Sequence, residues 1–174
     1  MSEEVAVLAV VRIRGHIKVD VRIEDTMRML RLTRVNHCVV VQGTRQNQGM
    51  ITRAKDYITW GEIDQETLSN LIFKKGRTLG EKRMNDAYVK ERTKYPNVQA
   101  LAKALVKCEL AYKDLPEVKP IFRLHPPKGG YGTVKRGIHA GGSLGYRGKE
   151  INKVIQRSLE AERIAAEKVK KDAS

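Results

Sequence analysis

Three groups of cations, amides and aromatics hold the side chains of this chain best suited to chemistry, and that chemistry is the gripping of polyanions. The first group is Arg12, Arg14 and Lys18, with Gly15 between them and no acid before Asp20. The second is Gly43-Thr44-Arg45-Gln46-Asn47-Gln48-Gly49, followed by Arg53 and Lys55. Fork-shaped donors and free backbone N–H groups at a helix start suit phosphate and sugar oxygens. The third is residues 119–149, with seven Lys or Arg, eight Gly, three Pro and neither Asp nor Glu. Its cations are Lys119, Arg123, Lys128, Lys135, Arg136, Arg147 and Lys149, interleaved with His125, Tyr131, His139 and Tyr146. Rings and guanidinium planes stack on unpaired bases, and glycine lets a backbone come close to a surface. RNA is the partner these three groups point to.

Other chemistries find little footing. Gly129-Gly130-Tyr131-Gly132-Thr133-Val134-Lys135 lacks the spacing of a phosphate loop, and no convincing strand precedes it. His16, His37, His125 and His139 are too scattered for a metal motif. Cys38 and Cys108 lie in apolar periodic segments and are expected to be buried thiols, without a disulfide. The chain is therefore expected to be no enzyme, to carry no cofactor or metal, and to have no small-molecule substrate.

The totals agree with a folded polyanion binder. The 174 residues carry a formal net charge of +14 and are 41% hydrophobic, enough for one respectable core. Residues 119–149 contribute +7 and residues 5–60 another +6, from ten cations against four acids, so two blocks hold nearly all the excess. No apolar run approaches the roughly 20 residues that span a bilayer, and MSEEVAVLAVV has acids where an export signal would be basic. Neither a membrane partner nor secretion is expected.

The elements that must position these groups follow from apolar periodicity. Val5–Val11 predicts a buried strand opening into a basic loop, and Glu24-Asp25-Thr26 predicts a helix start, with Met27, Leu30 and also Met29 and Leu32 facing inward. Asn36–Val41 predicts a second strand, Gln46–Lys55 a helix with Met50, Ile51 and Ala54 inward, and Tyr57–Trp60 a third strand. The expected fold class is α+β: a small ferredoxin-like β-α-β-α-β sandwich with helices on one face, over residues 1–61. A mostly helical extension over 62–118 is expected next, with a helix capped by Asp64, a partly helical excursion over 76–96 and a helix capped by Asn97. Leu115–Pro120 reads as a turn and linker, residues 119–149 as the basic Gly-rich RNA-binding segment. Residues 150–174 then form a helix built on Ile151, Val154, Ile155 and Leu159, with a charged tail that frays.

Thr26–Ile58, TMRMLRLTRVNHCVVVQGTRQNQGMITRAKDYI, resembles the signature of the large-subunit ribosomal protein thirty family. The marks are Leu30, Leu32, Arg34 and His37 before the second strand, then Met50, Ile51 and Ala54, then Tyr57 and Ile58. LHPPKGGYGTVKRGIHAGGSLGYRGKEINKVIQR resembles the C-terminal segment of the family's long archaeal and eukaryotic form, and the moderate length looks archaeal. The resemblance implies a cytoplasmic, structural constituent of the large ribosomal subunit. Its partners would be ribosomal RNA and neighbouring ribosomal proteins. The alternative is a non-ribosomal RNA-binding module of RRM-like architecture, which stacks bases on aromatics of its central strands. VAVLAVV has none.

Overall fold

The computed structural model describes the backbone of residues 6–172 and the side chains through residue 161. The β-branched run VLAVVR forms β1 (Val7–Arg12), and α1 (Val21–Met29) follows, three positions before the expected acids. The start is earlier because the Asp20 carboxylate caps it, accepting the Arg22 N–H at 2.8 Å. β2 (His37–Gln42), α2 (Arg45–Arg53) and β3 (Ile58–Glu62) complete the predicted order, with the Thr44 hydroxyl capping α2.

The extension adds α3 (Gln65–Lys75), α4 (Asp86–Arg92) and α5 (Val98–Val106). Asn97 caps α5 as expected, accepting the Ala100 N–H at 2.8 Å, whereas Asp64 stands at the cap position of α3 without a side-chain bond. Two short strands, β4 (Phe122–Arg123) and β5 (Gly145–Tyr146), lie inside the Gly-rich segment, and α6 (Ile151–Asp172) closes the chain. The predicted fraying of the charged tail falls mostly on side chains outside the described residues.

Among the described residues the sheet has five strands in the order β4-β2-β1-β3-β5. β1 is central and antiparallel to both neighbours, with Val10 opposite Val39 on one side and Trp60 on the other. β4 adds antiparallel to β2, and β5 adds parallel to β3. The Gly-rich segment therefore borders the sheet on both edges.

The two-residue period of β1 sends its side chains into two separate cores. Leu8 and Val10 pack with Val39 and Ile58 under Met27, Leu30, Leu32 and Ile51, the cover supplied by α1, α2 and the turn after α1. Met29, expected inward, is 65% exposed. Val7, Ala9 and Val11 face the other way, with Cys38 and Val40, onto Leu68, Leu71, Leu101, Leu105, Ile151 and Ile155. Helices thus lie on both faces of the sheet, one pair from the first 61 residues and the others from the extension and α6. Leu115 and Val118, expected in a linker, are buried in this second core, and Thr78 bridges to Val118. Cys38 is buried and Cys108 half-buried, with no disulfide between them.

Candidate nucleic-acid interface

The first cationic group divides. Arg12 was expected in a basic loop, but it is the last residue of β1, and the strand period points it under α1, where it is fully buried. Its Nη1 donates to Glu24 Oε1 at 3.1 Å and to the Leu32 carbonyl at 2.8 Å, Nη2 to Glu24 Oε2 at 3.0 Å, and Nε to the Arg14 carbonyl at 2.9 Å. A guanidinium enclosed in this way, with four of its five N–H groups bonded inside the protein, is out of reach of a phosphate, which removes Arg12 from the candidate set. Arg14 stacks 4.8 Å over the Tyr57 ring and donates to the Asp56 carbonyl, half-buried at the edge of the loop. Lys18 is exposed on a backbone turned to φ 55°.

The second group keeps most of its members outward. Arg45, Gln46, Arg53 and Lys55 are exposed around α2. Asn47 is half-buried and works internally: its Nδ2 donates to the Gln42 carbonyl at 2.7 Å and its N–H to the Thr44 hydroxyl.

The third group is far from a loose polycation. Phe122 is fully buried, its ring centroid 4.9 Å from that of Tyr112. Tyr131, expected to stack on bases, leans instead on the second core and donates its hydroxyl to Asn36 Oδ1 at 2.9 Å. Burial pushes that hydroxyl's pKa well above its ordinary value. Arg147, also expected to face RNA, donates from Nε to the Thr59 hydroxyl and from Nη2 to the Ser143 carbonyl, each at 3.1 Å. Both residues hold the segment to the protein. Between them the chain folds back on itself: Ser143 and Leu144 donate to the Arg136 carbonyl at 3.1 and 3.2 Å, and Ile138 donates to the Leu144 carbonyl. Gly142 permits this, because a Cβ there would stand 1.9 Å from the Arg136 oxygen.

With the backbone so fixed, Arg123, His125, Lys128, Lys135, Arg136, His139 and Lys149 remain exposed. Tyr146 is 50% exposed, its ring centroid 6.4 Å from that of Trp60, its hydroxyl bonded to Glu62. The surface is thus an array of cations on backbone pinned by hydrogen bonds, which spares a ligand the entropic cost of ordering it.

Sequence reading missed two contributors. Trp60 sits beside Tyr146 because β5 pairs in parallel register with β3, a pairing with no local signal. Arg34 and Arg123 flank His37, whose pKa is lowered first by burial and then by these cations. His37 and Arg123 pair directly across β2 and β4, although far apart along the chain. Among the described residues no cluster of His, Cys, Asp and Glu is placed to hold a metal, and no helix is long and apolar enough to cross a membrane.

The family profile described as ribosomal protein L30p/L7e matches residues 8–58, which run from β1 to the start of β3. The large ribosomal subunit protein uL30 of Methanococcus maripaludis is 50% identical over 153 residues, 87% of this chain and 98% of its own length. The chain belongs to the uL30 family. The uL30 of Methanobrevibacter smithii is 46% identical over 150 residues, and that of Methanoculleus marisnigri 44% over 149, covering 98% and 97% of those proteins. The family is structural rather than enzymatic, and near-complete coverage of these archaeal relatives makes this its long form. The likeness therefore runs through the extension and the Gly-rich segment as well as the first 61 residues.

Proposed function

We propose that this protein is a structural constituent of the large ribosomal subunit in the cytoplasm, where it binds ribosomal RNA and stabilises its fold beside neighbouring ribosomal proteins. One observation carries the reading. Exposed cations occur on the loop after β1, around α2 and along residues 119–149, and the latter two sets stand on elements held by β-pairing, a helix cap and turn hydrogen bonds. Such a surface neutralises phosphates at set positions and reads RNA by shape.

Affinity of the full chain for large-subunit ribosomal RNA between about 50 and 200 mM salt tests it. Six or more phosphate contacts predict a loss of about a thousandfold over that range. A flat dependence, or release of the protein from large subunits in a mild salt wash, counts against it. The RRM-like alternative needs an open sheet face with aromatics on its central strands. Here β1 is buried along its whole length, with helices over both faces.

A further inference from the structure

Between the end of α3, the turn over residues 77–83 and β4 lies an open cavity of about 520 Å³, where Arg123 and His125 of the third cationic group meet residues that sequence did not single out. That volume falls in the roughly 300–1,000 Å³ range of small-ligand sites. Lys75, Arg77, Arg123 and His125 line it, together with Ile121 and Leu124. Its one acid is Glu81, whose carboxylate bonds Lys119 Nζ and stands 3.4 Å from Arg123 Nη2. Lys119, Arg123 and Arg77 thus act on one carboxylate, and Lys75, on the cavity wall, is buried to 7% exposure. The hydrogen bond from Lys119, then Arg123 and Arg77, hold the Glu81 carboxyl below its ordinary pKa.

The frame of this cavity is built rather than incidental. Arg77 pairs with Arg83 across the turn, Thr78 bridges to Val118, and Lys119 N–H donates to the Arg77 carbonyl at 2.9 Å. Glu81 itself adopts φ 59°, a left-handed conformation that is costly for a residue with a side chain and is tolerated where surroundings impose it. The Glu81 N–H donates back to the Thr78 carbonyl at 3.0 Å, which closes the turn that carries the carboxylate.

We infer that this cavity binds the phosphate of a single unpaired nucleotide, and that Glu81 occupies the place of that phosphate until RNA displaces it. Carboxylate and phosphate present the same acceptors to a guanidinium fork, so one exchanges for the other without rebuilding the site. Ile121 and Leu124 supply the apolar wall against which a base lies, and the His125 ring a surface on which it stacks. The inference rests on the RNA-binding reading above and names a site for it that includes Lys75 and Arg77.

Two measurements on the full chain test it. In the first, NMR spectra are recorded while inorganic phosphate, uridine or uridine 5′-monophosphate is added. The monophosphate is expected to shift the His125 and Arg123 side-chain signals saturably, phosphate to do so more weakly, and uridine to leave them in place. In the second, affinity for large-subunit ribosomal RNA is compared among variants at about 100 mM salt. Arg123→Gln is expected to weaken binding about tenfold and reduce the salt slope by about one, and Glu81→Gln to tighten it about threefold. Lys103→Gln, on exposed α5 surface, stays within about twofold. Steep RNA binding that ignores both cavity substitutions overturns the pocket and leaves the RNA reading standing. No RNA binding by the native chain overturns both.

Discussion

The two faces of the sheet are built in opposite ways. One is covered locally: Leu8, Val10, Val39 and Ile58 meet α1, α2 and the turn after α1, all drawn from the first 58 residues. The other is covered from a distance: Val7, Ala9, Val11, Cys38 and Val40 meet residues from Ile63 to Leu159, including Phe122 from the Gly-rich segment. A central strand apolar on both faces cannot be satisfied by two helices on one side. The extension is thus half of the protein's interior, and the basic segment is fastened to that half by Phe122, Leu124 and Tyr131.

The sharpest way to break this comparison is truncation after residue 63. The fragment keeps the local face whole yet leaves Val7, Ala9, Val11, Cys38 and Val40 uncovered, so it is expected to lose its cooperative thermal transition altogether. A fragment that melts like the whole chain would make the second face dispensable. Next in size is Phe122→Ala, which removes the most deeply buried of the side chains joining the basic segment to the distant face. It is expected to cost about 3–5 kcal/mol in denaturant unfolding and to weaken RNA binding by loosening β4.

On the local face, Glu24→Ala strands the buried Arg12 guanidinium and is expected to cost about 3 kcal/mol, the low end for a pair whose carboxylate keeps some solvent contact. RNA affinity measured below the melting range stays unchanged, because Arg12 faces inward. A loss of affinity out of proportion to stability would return Arg12 to the interface.

The smallest expected effect concerns pH. Burial pushes the Cys38 thiol up to about 12 from an ordinary 9.0. Between those values the unfolded chain has released a proton that the folded chain retains, so stability falls as pH rises from about 9 to about 12. Cys38→Ala is expected to cost about 1 kcal/mol at pH 7 and to flatten that alkaline decline in melting temperature. An unchanged slope would assign the decline to Tyr112 and Tyr131, whose hydroxyls are shifted upward in the same sense.

What could be read from sequence followed the range of the interactions. The β-α-β-α-β order, Met27, Leu30, Ile51 and Ala54 as inward residues, and the Asn97 cap are decided by neighbours within a turn or two, and they were legible. Arg12 was misplaced because its partner Glu24 lies across a loop on another element. Tyr131 and Arg147 were taken for RNA contacts because composition shows a cation or a ring but not Asn36, Thr59 or Ser143 waiting for it. Glycine and proline content suggested a segment without an interior role. The few apolar residues it carries, Phe122 above all, sit where they bury fully. Arg45, Gln46, Arg53 and Lys55 are exposed, since among the described residues nothing covers them on the outer side of α2.

The pairing of β3 with β5 also sets a timetable for synthesis. Thr59 and Trp60 meet Gly145 and Tyr146, and Arg147 N–H donates to the Trp60 carbonyl at 2.8 Å. A chain emerging from its N-terminus can form β1, β2 and β3 early, but the outer border of β3 stays without a strand until residue 146 has been made. Contacts so far apart along the chain are the slow ones to form, and an unpaired strand border is where nascent chains adhere to one another. This sheet is then sealed only once Tyr146 has been made.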